Sequence, residues 1–247
     1  MDVSWIVPTY RDELNIERAL REVDAYLRSK AFPAGYEIIV IGSRAGDRSR
    51  EIVAGLRDDI PAVRLLTVDG HAKGWNVRTG MLTASGAIRI FSDADNATAP
   101  THFDRMLPLF QSGHHVVVSS RSPHDAPGAR RDLDESVLRR VGGALGNAYV
   151  RLIAGLSLRD TQNGFKGFTA AAADDLFNRL TIGGFAFDVE VLVLARLRHY
   201  RVGVVPVAWR HDSRSSVTMS AYFEVLRDVT MIGRNRLSGR YGNGSGQ

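Results

Sequence analysis

"IIVIGSRAGDRSREIV", residues 38–53, indicates the fold class, because it has the pattern of a strand, a turn and a helix in immediate succession. It opens with β-branched aliphatic residues, which are typical of a buried strand, and closes with a helical pattern at 49–53. The same succession continues on both sides. Strands are predicted at 3–8, 36–41, 63–68 and 88–92, and helices at 13–28, 49–57 and 73–84. This alternation predicts an α/β fold with a mostly parallel central sheet flanked by helices.

The second half of the chain has a less regular pattern. Helices are predicted at 100–111, 136–156, 170–180, 188–200 and 218–237, and strands at 115–119, 165–169 and 202–207. We predict one domain over residues 1–217, an amphipathic helix at 218–238 and a flexible, glycine-rich tail at 239–247.

Composition narrows the functional classes. The 247 residues carry a net charge of +5, which suits an anionic partner such as a nucleotide or a phospholipid head group. Basic residues are spread among acidic ones, so no nucleic-acid partner is expected. The chain has no cysteine, which excludes disulfides and thiol catalysis. With no signal-peptide pattern and no long apolar run, we expect a cytoplasmic protein, with peripheral contact to the inner face of the cell membrane left open.

"FSDADNATAP", residues 91–100, places two carboxylates directly after a predicted strand. Parallel sheets bind their ligands beyond the carboxyl ends of the strands, where Asp93 and Asp95 would lie. Two carboxylates suit Mg²⁺ or Mn²⁺, which would in turn hold a substrate diphosphate. A solvated acidic turn would give the same pattern.

"GHAKGWNVRTG", residues 70–80, begins the third predicted helix. Lys73 and Arg78 could both face a phosphate there, because the N-terminus of a helix favours anions. A glycine-rich loop before an ordinary amphipathic helix is an equally consistent interpretation.

Taken together, these motifs resemble those of the inverting family-2 glycosyltransferases, and most of all the dolichyl- and polyprenyl-phosphate mannose or glucose synthases. The resemblance covers about residues 4–217 and rests on "IVPTY" with Asn15, "KGWNVRTG", "FSDADNATAP", "SSR", "LRDTQNGFKGF" and "FAFDVEVLVLARLRHYRVGVVPVAWRH". "DTQNGFK" and "FDVE" are its most specific parts. It implies a nucleotide-diphosphosugar transferase fold of the GT-A type, dependence on a divalent metal, and inversion at the anomeric carbon. Residues 1–95 would form the nucleotide-sugar half and residues 96–217 the acceptor half.

The resemblance also implies roles for individual residues. Asp93 and Asp95 match the metal and diphosphate motif, and Lys166 falls in the segment on the acceptor side of the sugar. The catalytic candidates are Asp160, Asp188, Glu190, Arg121 and Arg139, the two arginines facing the acceptor phosphate. The nucleotide-sugar candidates are Pro8, Tyr10, Asp12, Ser43, Asp47, Lys73, Arg78, Asp93 and Gln162.

Some of these positions have simpler explanations. Acidic residues such as Asp188 and Glu190 are favoured at a helix N-terminus by the helix dipole. Arg139 competes with Arg140 for the same role, and both could belong to a solvated face.

The turn after the second strand departs from the family pattern. Where the family usually has two aspartates and a glycine, this chain has Gly42, Ser43 and Arg44, and Asp47 is the acid that remains. Arg11 and Asp12 stand where Asn-Glu is usual. The pocket for the nucleoside is therefore predicted to be remodelled, and its preferred base is left open.

The acceptor is open as well. A polyprenyl phosphate is already ionised and needs no general base, whereas a hydroxyl acceptor needs a carboxylate to take its proton. Helices 136–156 and 218–237 combine apolar faces with arginines, which suits a membrane surface, although core packing explains them equally well. The alternatives are transfer to a soluble hydroxyl or phosphate acceptor and a non-catalytic protein that binds sugar nucleotides. A nucleotidyltransferase fits less well, because "PTYRDELN" lacks a glycine-rich phosphate loop.

Overall fold

The structure is a computed structural model that describes residues 1–43, 48–70, 72–131, 137–209 and 219–242. For residues 131, 137–145 and 219–221 it describes the main chain alone.

A seven-stranded sheet forms the centre of the molecule. Its strands, in chain order, are β1 (Val3–Thr9), β2 (Tyr36–Ser43), β3 (Val63–Val68), β4 (Ile88–Ser92), β5 (Val116–Ser120), β7 (Phe165–Thr169) and β8 (Val202–Pro206). They are arranged in the order β3-β2-β1-β4-β7-β5-β8, and β7 alone runs antiparallel to its neighbours. The predicted mostly parallel sheet is confirmed. The chain moves outward from β1 to β3 and returns to β4 beside β1, so a crevice opens between the carboxyl ends of β1 and β4.

Helices cover both faces of the sheet. They are α1 (Ile16–Arg28), α2 (Ser49–Gly55), α3 (Lys73–Thr83), α4 (Phe103–Gln111), α5 (Val137–Ala154), α6 (Ala170–Asn178), α7 (Phe187–Leu197) and α8 (Met219–Leu237). In α1 the apolar residues Ile16, Leu20, Val23 and Leu27 recur every three or four positions, and all are buried. A short 3₁₀ helix, Pro100–His102, precedes α4.

Alternation of side chains along the central strands divides the core into two layers. Ile38 and Val40 pack with Trp5 on one face of the sheet, and Ile39 and Ile41 face the opposite layer. Both layers are fully buried, because helices close the sheet on each side.

Two features of the second half were not predicted. Strands β6 (Arg130–Arg131) and β9 (Ala208–Trp209) form a small parallel pair of their own. Residues 239–242, at the start of the predicted flexible tail, form a turn in which Tyr241 is buried, and the rest of that tail lies outside the described residues.

Helix α8 packs on α5 and α7 and buries Val229 and Ile232. Within the described residues, no helix is both long and apolar enough to cross a membrane.

Candidate active site

The first turn of the site follows β1 and is organised by Asp12. The Asp12 Oδ2 atom accepts hydrogen bonds from the Tyr10 amide at 2.9 Å and from the Thr9 hydroxyl at 3.3 Å. The Asp12 amide donates to the Ser49 hydroxyl at 3.1 Å, which ties this turn to the start of α2. Burial, with a contribution from the charges of Asp93 and Asp95, raises the pKa of Asp12 to about 6.

The second turn follows β4 and carries the acidic motif. The Asp93 amide donates to the Gly164 carbonyl at 3.1 Å, and a side chain at Gly164 would overlap the Asp93 carboxylate. The Lys73 ammonium, at the start of α3, lies 2.5 Å from the Asp93 carboxylate. Burial alone would lower the pKa of Lys73, but the nearby Asp93 and Asp188 carboxylates outweigh it and raise that pKa.

A buried ion pair lies behind this turn. The Lys166 ammonium is 2.7 Å from the Asp188 carboxylate and 2.6 Å from the Asn163 carbonyl, and it lies 5.4 Å from the centre of the Phe91 ring. Burial raises the pKa of Asp188. The negative charge of Asp93 adds to this rise, whereas the positive charges of Lys166 and Lys73 oppose it.

Arg121 and Asp160 form a second pair at the other side of the site. Asp160 accepts from the Arg121 main-chain amide, Nε and Nη2 at 2.7, 2.8 and 2.7 Å, so both carboxylate oxygens meet the guanidinium fork. The Trp209 ring stacks on the same guanidinium at 5.3 Å. The orientation of Arg121 is therefore fixed by groups from two other parts of the chain.

These groups form one electrostatic cluster. Charge interactions link Asp93 to Asp12, to Asp188 and to Arg121 across the carboxyl ends of the strands. Of the predicted site residues, the structure brings together Asp12, Lys73, Asp93, Asp95, Arg121, Asp160 and Asp188.

One predicted residue, Arg78, is directed away from the cluster. The Arg78 Nε atom donates to the Phe177 carbonyl at 2.8 Å, so this side chain is directed toward the end of α6. Gln162 is exposed, and Pro8 and Ser43 are buried at the ends of β1 and β2.

Glu190 is also buried, in a pocket of hydrogen-bond donors from Thr181, Ile182 and Tyr241. The predictions for Asp47 and for the side chain of Arg139 lie outside the described residues.

Two supporting residues were missed from the sequence. Asp125 accepts from the Asp160 amide at 2.9 Å and from the Ser120 hydroxyl at 2.8 Å, and so holds Asp160 in place. Asn163 donates to the Ser119 hydroxyl at 2.5 Å. Asn163 lies inside the "DTQNGFK" motif and could have been inferred from it, whereas Asp125 lies in a polar loop with no motif.

The donor atoms around Asp93 fit one mode of metal binding. Among the residues that the structure describes, no three acidic or histidine side chains converge on one point. Asp93 and Asp95 nevertheless offer two carboxylates, and Mg²⁺ is commonly held by one or two carboxylates together with substrate phosphates. The site therefore fits a divalent ion that binds with a diphosphate.

Comparison with known proteins identifies the family. The family model described as "Glycosyl transferase family 2" matches residues 4–177, well over half of the chain. The chain belongs to glycosyl transferase family 2. This glycosyltransferase is 32% identical over 239 residues to a dolichyl-phosphate beta-glucosyltransferase of Trichomonas vaginalis, covering 93% of this chain and 70% of the relative. It is also 32% identical over 247 residues to a dolichyl-phosphate beta-glucosyltransferase of Drosophila melanogaster, covering 94% and 74% of the two chains.

Solved structures agree on the fold. Glucosyl-3-phosphoglycerate synthase from Mycobacterium tuberculosis, solved with UDP, superposes with a TM-score of 0.69 at 18% identity over 96% of this chain and 80% of that one. The glycosyltransferase thus has the GT-A fold that the sequence motifs imply.

Proposed function

We propose that this glycosyltransferase moves a hexose from a nucleotide-diphosphate sugar to a polyprenyl phosphate, with inversion and with the help of a divalent metal. The observation that carries the proposal is that other groups engage all three carboxylates predicted as general bases, Asp160, Asp188 and Glu190. The names of the two relatives, both dolichyl-phosphate beta-glucosyltransferases, point in the same direction.

The three candidate bases are each held by other groups. Asp160 accepts three hydrogen bonds from Arg121, and Asp188 is paired with Lys166. Glu190 accepts from main-chain and side-chain donors in the protein interior. Any of these three carboxylates would have to give up such partners to take a proton from a hydroxyl acceptor, which favours an acceptor that attacks without losing a proton.

A lipid phosphate meets this requirement. A phosphate monoester has a second pKa of about 6, so it is largely dianionic near neutral pH. Arg121 is oriented by Asp160 and Trp209, and the N–H groups of its Nη1 and Nη2 atoms beyond those donated to Asp160 suit binding of a phosphate. A phosphate oxygen then forms a bond to the anomeric carbon as the bond to the donor diphosphate breaks on the opposite face, so the configuration inverts.

The donor diphosphate would lie at the turn after β4. Asp93 and Asp95 would hold the divalent ion, which when bound neutralises charge on the diphosphate. Lys73 supplies a fixed positive charge beside Asp93, where the leaving group gains charge.

Helix α8 could bring the enzyme to its lipid acceptor. Tyr222, Phe223 and Leu226 are exposed on its first turns beside the exposed Arg227. Aromatic and basic side chains together suit a membrane interface with anionic lipids. We therefore propose peripheral contact with the cytoplasmic membrane surface.

The direct test is transfer of radiolabelled glucose from UDP-glucose to a polyprenyl phosphate in detergent with Mn²⁺. We expect the label to enter the organic phase, and Asp95→Asn to reduce the rate on the order of 100-fold or more. Asp104→Asn is the matched control, because Asp104, on α4, contacts Tyr26 of α1 and the nearby Lys30, away from the cluster.

Other results would point elsewhere. Label on a water-soluble phosphate or hydroxyl acceptor would replace the lipid assignment, and a parallel assay with GDP-mannose tests the donor. Nucleotide binding without transfer to any acceptor would indicate a non-catalytic relative.

A further inference from the structure

Tyr241 lies far from the charged cluster along the chain, beyond the end of α8, yet it is 5% exposed and its hydroxyl donates to Glu190 Oε1 at 2.8 Å. We propose that Tyr241 and Glu190 are positioning residues that hold the turn 181–184 against the start of α3, and through it keep Lys73 beside Asp93. The inference rests on the proposed function, in which Lys73 serves the donor diphosphate.

The first link is the carboxylate of Glu190, which is fully buried. Its oxygens accept from the Thr181 amide at 3.1 and 3.0 Å, from the Thr181 hydroxyl at 2.5 Å and from the Ile182 amide at 2.8 Å. A buried carboxylate needs such donors, because each one offsets the loss of hydration. The same contacts fix the main chain at the beginning of the turn.

The second link joins the turn to α3. The Gly74 amide, one of the first donors of the helix, donates to the Gly183 carbonyl at 2.7 Å. A methyl group at Gly74 would lie 2.8 Å from that carbonyl and 2.7 Å from the Phe187 Cβ atom. A side chain at Gly183 would overlap Trp75. Because main chain meets main chain without intervening side chains, a displacement of the turn displaces the start of α3.

The third link is Lys73, the residue before Gly74, whose ammonium lies 2.5 Å from Asp93. A short series of contacts therefore runs from Tyr241 to the acidic motif. Asn235 adds contacts at the Tyr241 end of this series, because its side-chain amide nitrogen lies 3.4 Å from the Tyr241 hydroxyl and 3.5 Å from the Thr181 hydroxyl. The end of α8 thus contributes to the site without touching it.

Tyr241→Phe tests this role, because it removes the hydroxyl and keeps the ring that fills the core. The probe is UDP-glucose with Mn²⁺, and calorimetry gives its Kd. We expect Tyr241→Phe to weaken binding about 3- to 10-fold. The effect is smaller than the loss of a direct hydrogen bond to a charged group, because the Tyr241 hydroxyl acts on the site only through the turn and the start of α3. The KM for the donor should rise by a similar factor while the KM for polyprenyl phosphate stays unchanged.

Tyr36→Phe is the matched control. The Tyr36 hydroxyl donates to Asp24 at 2.8 Å near the amino end of β2. The substitution therefore removes a similar tyrosine–carboxylate hydrogen bond far from the cluster. It should lower stability without changing the Kd of UDP-glucose. If Tyr241→Phe does not fold, Thr181→Val replaces it, since this change removes the hydroxyl donor to Glu190 and keeps the side-chain shape.

The outcomes separate the two proposals. A Tyr241→Phe protein with reduced stability but an unchanged Kd would overturn the positioning role, and so would an equal rise in the KM of donor and acceptor. Failure of the wild-type protein to bind any sugar nucleotide would instead overturn the proposed function on which this role depends.

Discussion

At the scale of single residues, the site is built from opposite charges placed in contact. Lys73 meets Asp93, Lys166 meets Asp188, and each pair is partly or fully withdrawn from water. Pairing offsets much of the cost of burying such charges. Asp12 differs, because burial raises its pKa and the like charges of Asp93 and Asp95 near it add to the rise.

The raised pKa of Asp12 leads to a prediction about stability. Its pKa moves from 3.8 to about 6 on folding, so the native state loses stability as pH rises through this interval, and the loss is complete above it. Asp12→Asn should therefore raise the free energy of unfolding by about 1–2 kcal/mol at pH 7.5 and by little at pH 4, after allowance for partial exposure. Thermal unfolding of both proteins without divalent ions measures the difference.

Asp104→Asn is the control for this experiment. Burial alone would raise the pKa of Asp104, but the hydrogen bonds from Lys30 and Tyr26 outweigh burial and lower that pKa. At pH 7.5, Asp104→Asn should therefore leave the free energy of unfolding unchanged or lower it, whereas Asp12→Asn should raise it. An Asp12→Asn effect of equal size at both pH values would contradict the prediction.

At the scale of elements, the packing of α3 depends on two glycines with different neighbours. A methyl group at Gly74 would meet Phe187 and the Gly183 carbonyl at 2.7 and 2.8 Å, and one at Gly80 would meet Ile6 and Ile41 at 2.5 and 2.6 Å. Both alanine variants should lose about 1–3 kcal/mol by overpacking. Gly74→Ala alone should also weaken UDP-glucose binding, on the order of 10-fold, because it displaces Lys73.

Denaturant unfolding and calorimetry on the two variants separate these effects. Gly80→Ala provides a protein of similar stability with an undisturbed start of α3. Equal losses of UDP-glucose affinity in both variants would show that general destabilisation, and not the position of Lys73, is responsible.

Most elements were predictable because periodicity is a local property. The predicted ends of β3, β4 and β7 agree with the structure, and α3 differs by one residue. The antiparallel direction of β7 and the two-residue strands β6 and β9 could not be predicted, because they depend on pairing between distant segments.

The site was predictable where a residue lies at the end of a strand and less so where it lies within a helix. Asp93 and Asp95 follow β4 directly, so topology alone brings them to the crevice. Arg78 lies five residues after Lys73, which places it about 140° away around α3, toward α6. Glu190 faces the core for a similar reason, because side-chain direction on α7 is set by packing that no short motif records.

At the scale of the whole molecule, the C-terminal helix is part of the core and not an appendage. Val229, Ile232 and Tyr241 are buried in the same hydrophobic cluster as Phe187 and Ile182, which lie beside the site. The predicted division at residue 217 stays a prediction. These contacts nevertheless couple the helix to the turn that supports α3.

Ligand-induced stabilisation tests the whole site at once. A nucleotide at 100 times its Kd should stabilise the native state by about 2.7 kcal/mol, or roughly 5–11 °C in melting temperature for a chain of this size. We expect UDP-glucose with Mn²⁺ to give a larger shift than the sum of the shifts from each alone, because Asp93 and Asp95 provide only part of a coordination shell. Additive shifts would contradict this joint binding.

The same measurement identifies the nucleotide that the remodelled turn accepts. Ser43 ends β2 where the family usually has an aspartate, and a hydroxyl can both donate and accept, whereas an ionised carboxylate only accepts. Ser43 therefore places less demand on a base N–H group, and we expect UDP and GDP to differ less in their shifts than they would against a carboxylate. Ser43→Asp should widen the difference between the two nucleotides, with the shift from Mn²⁺ alone as the internal control. An unchanged difference would place base recognition in the first turn, at Tyr10 and Asp12.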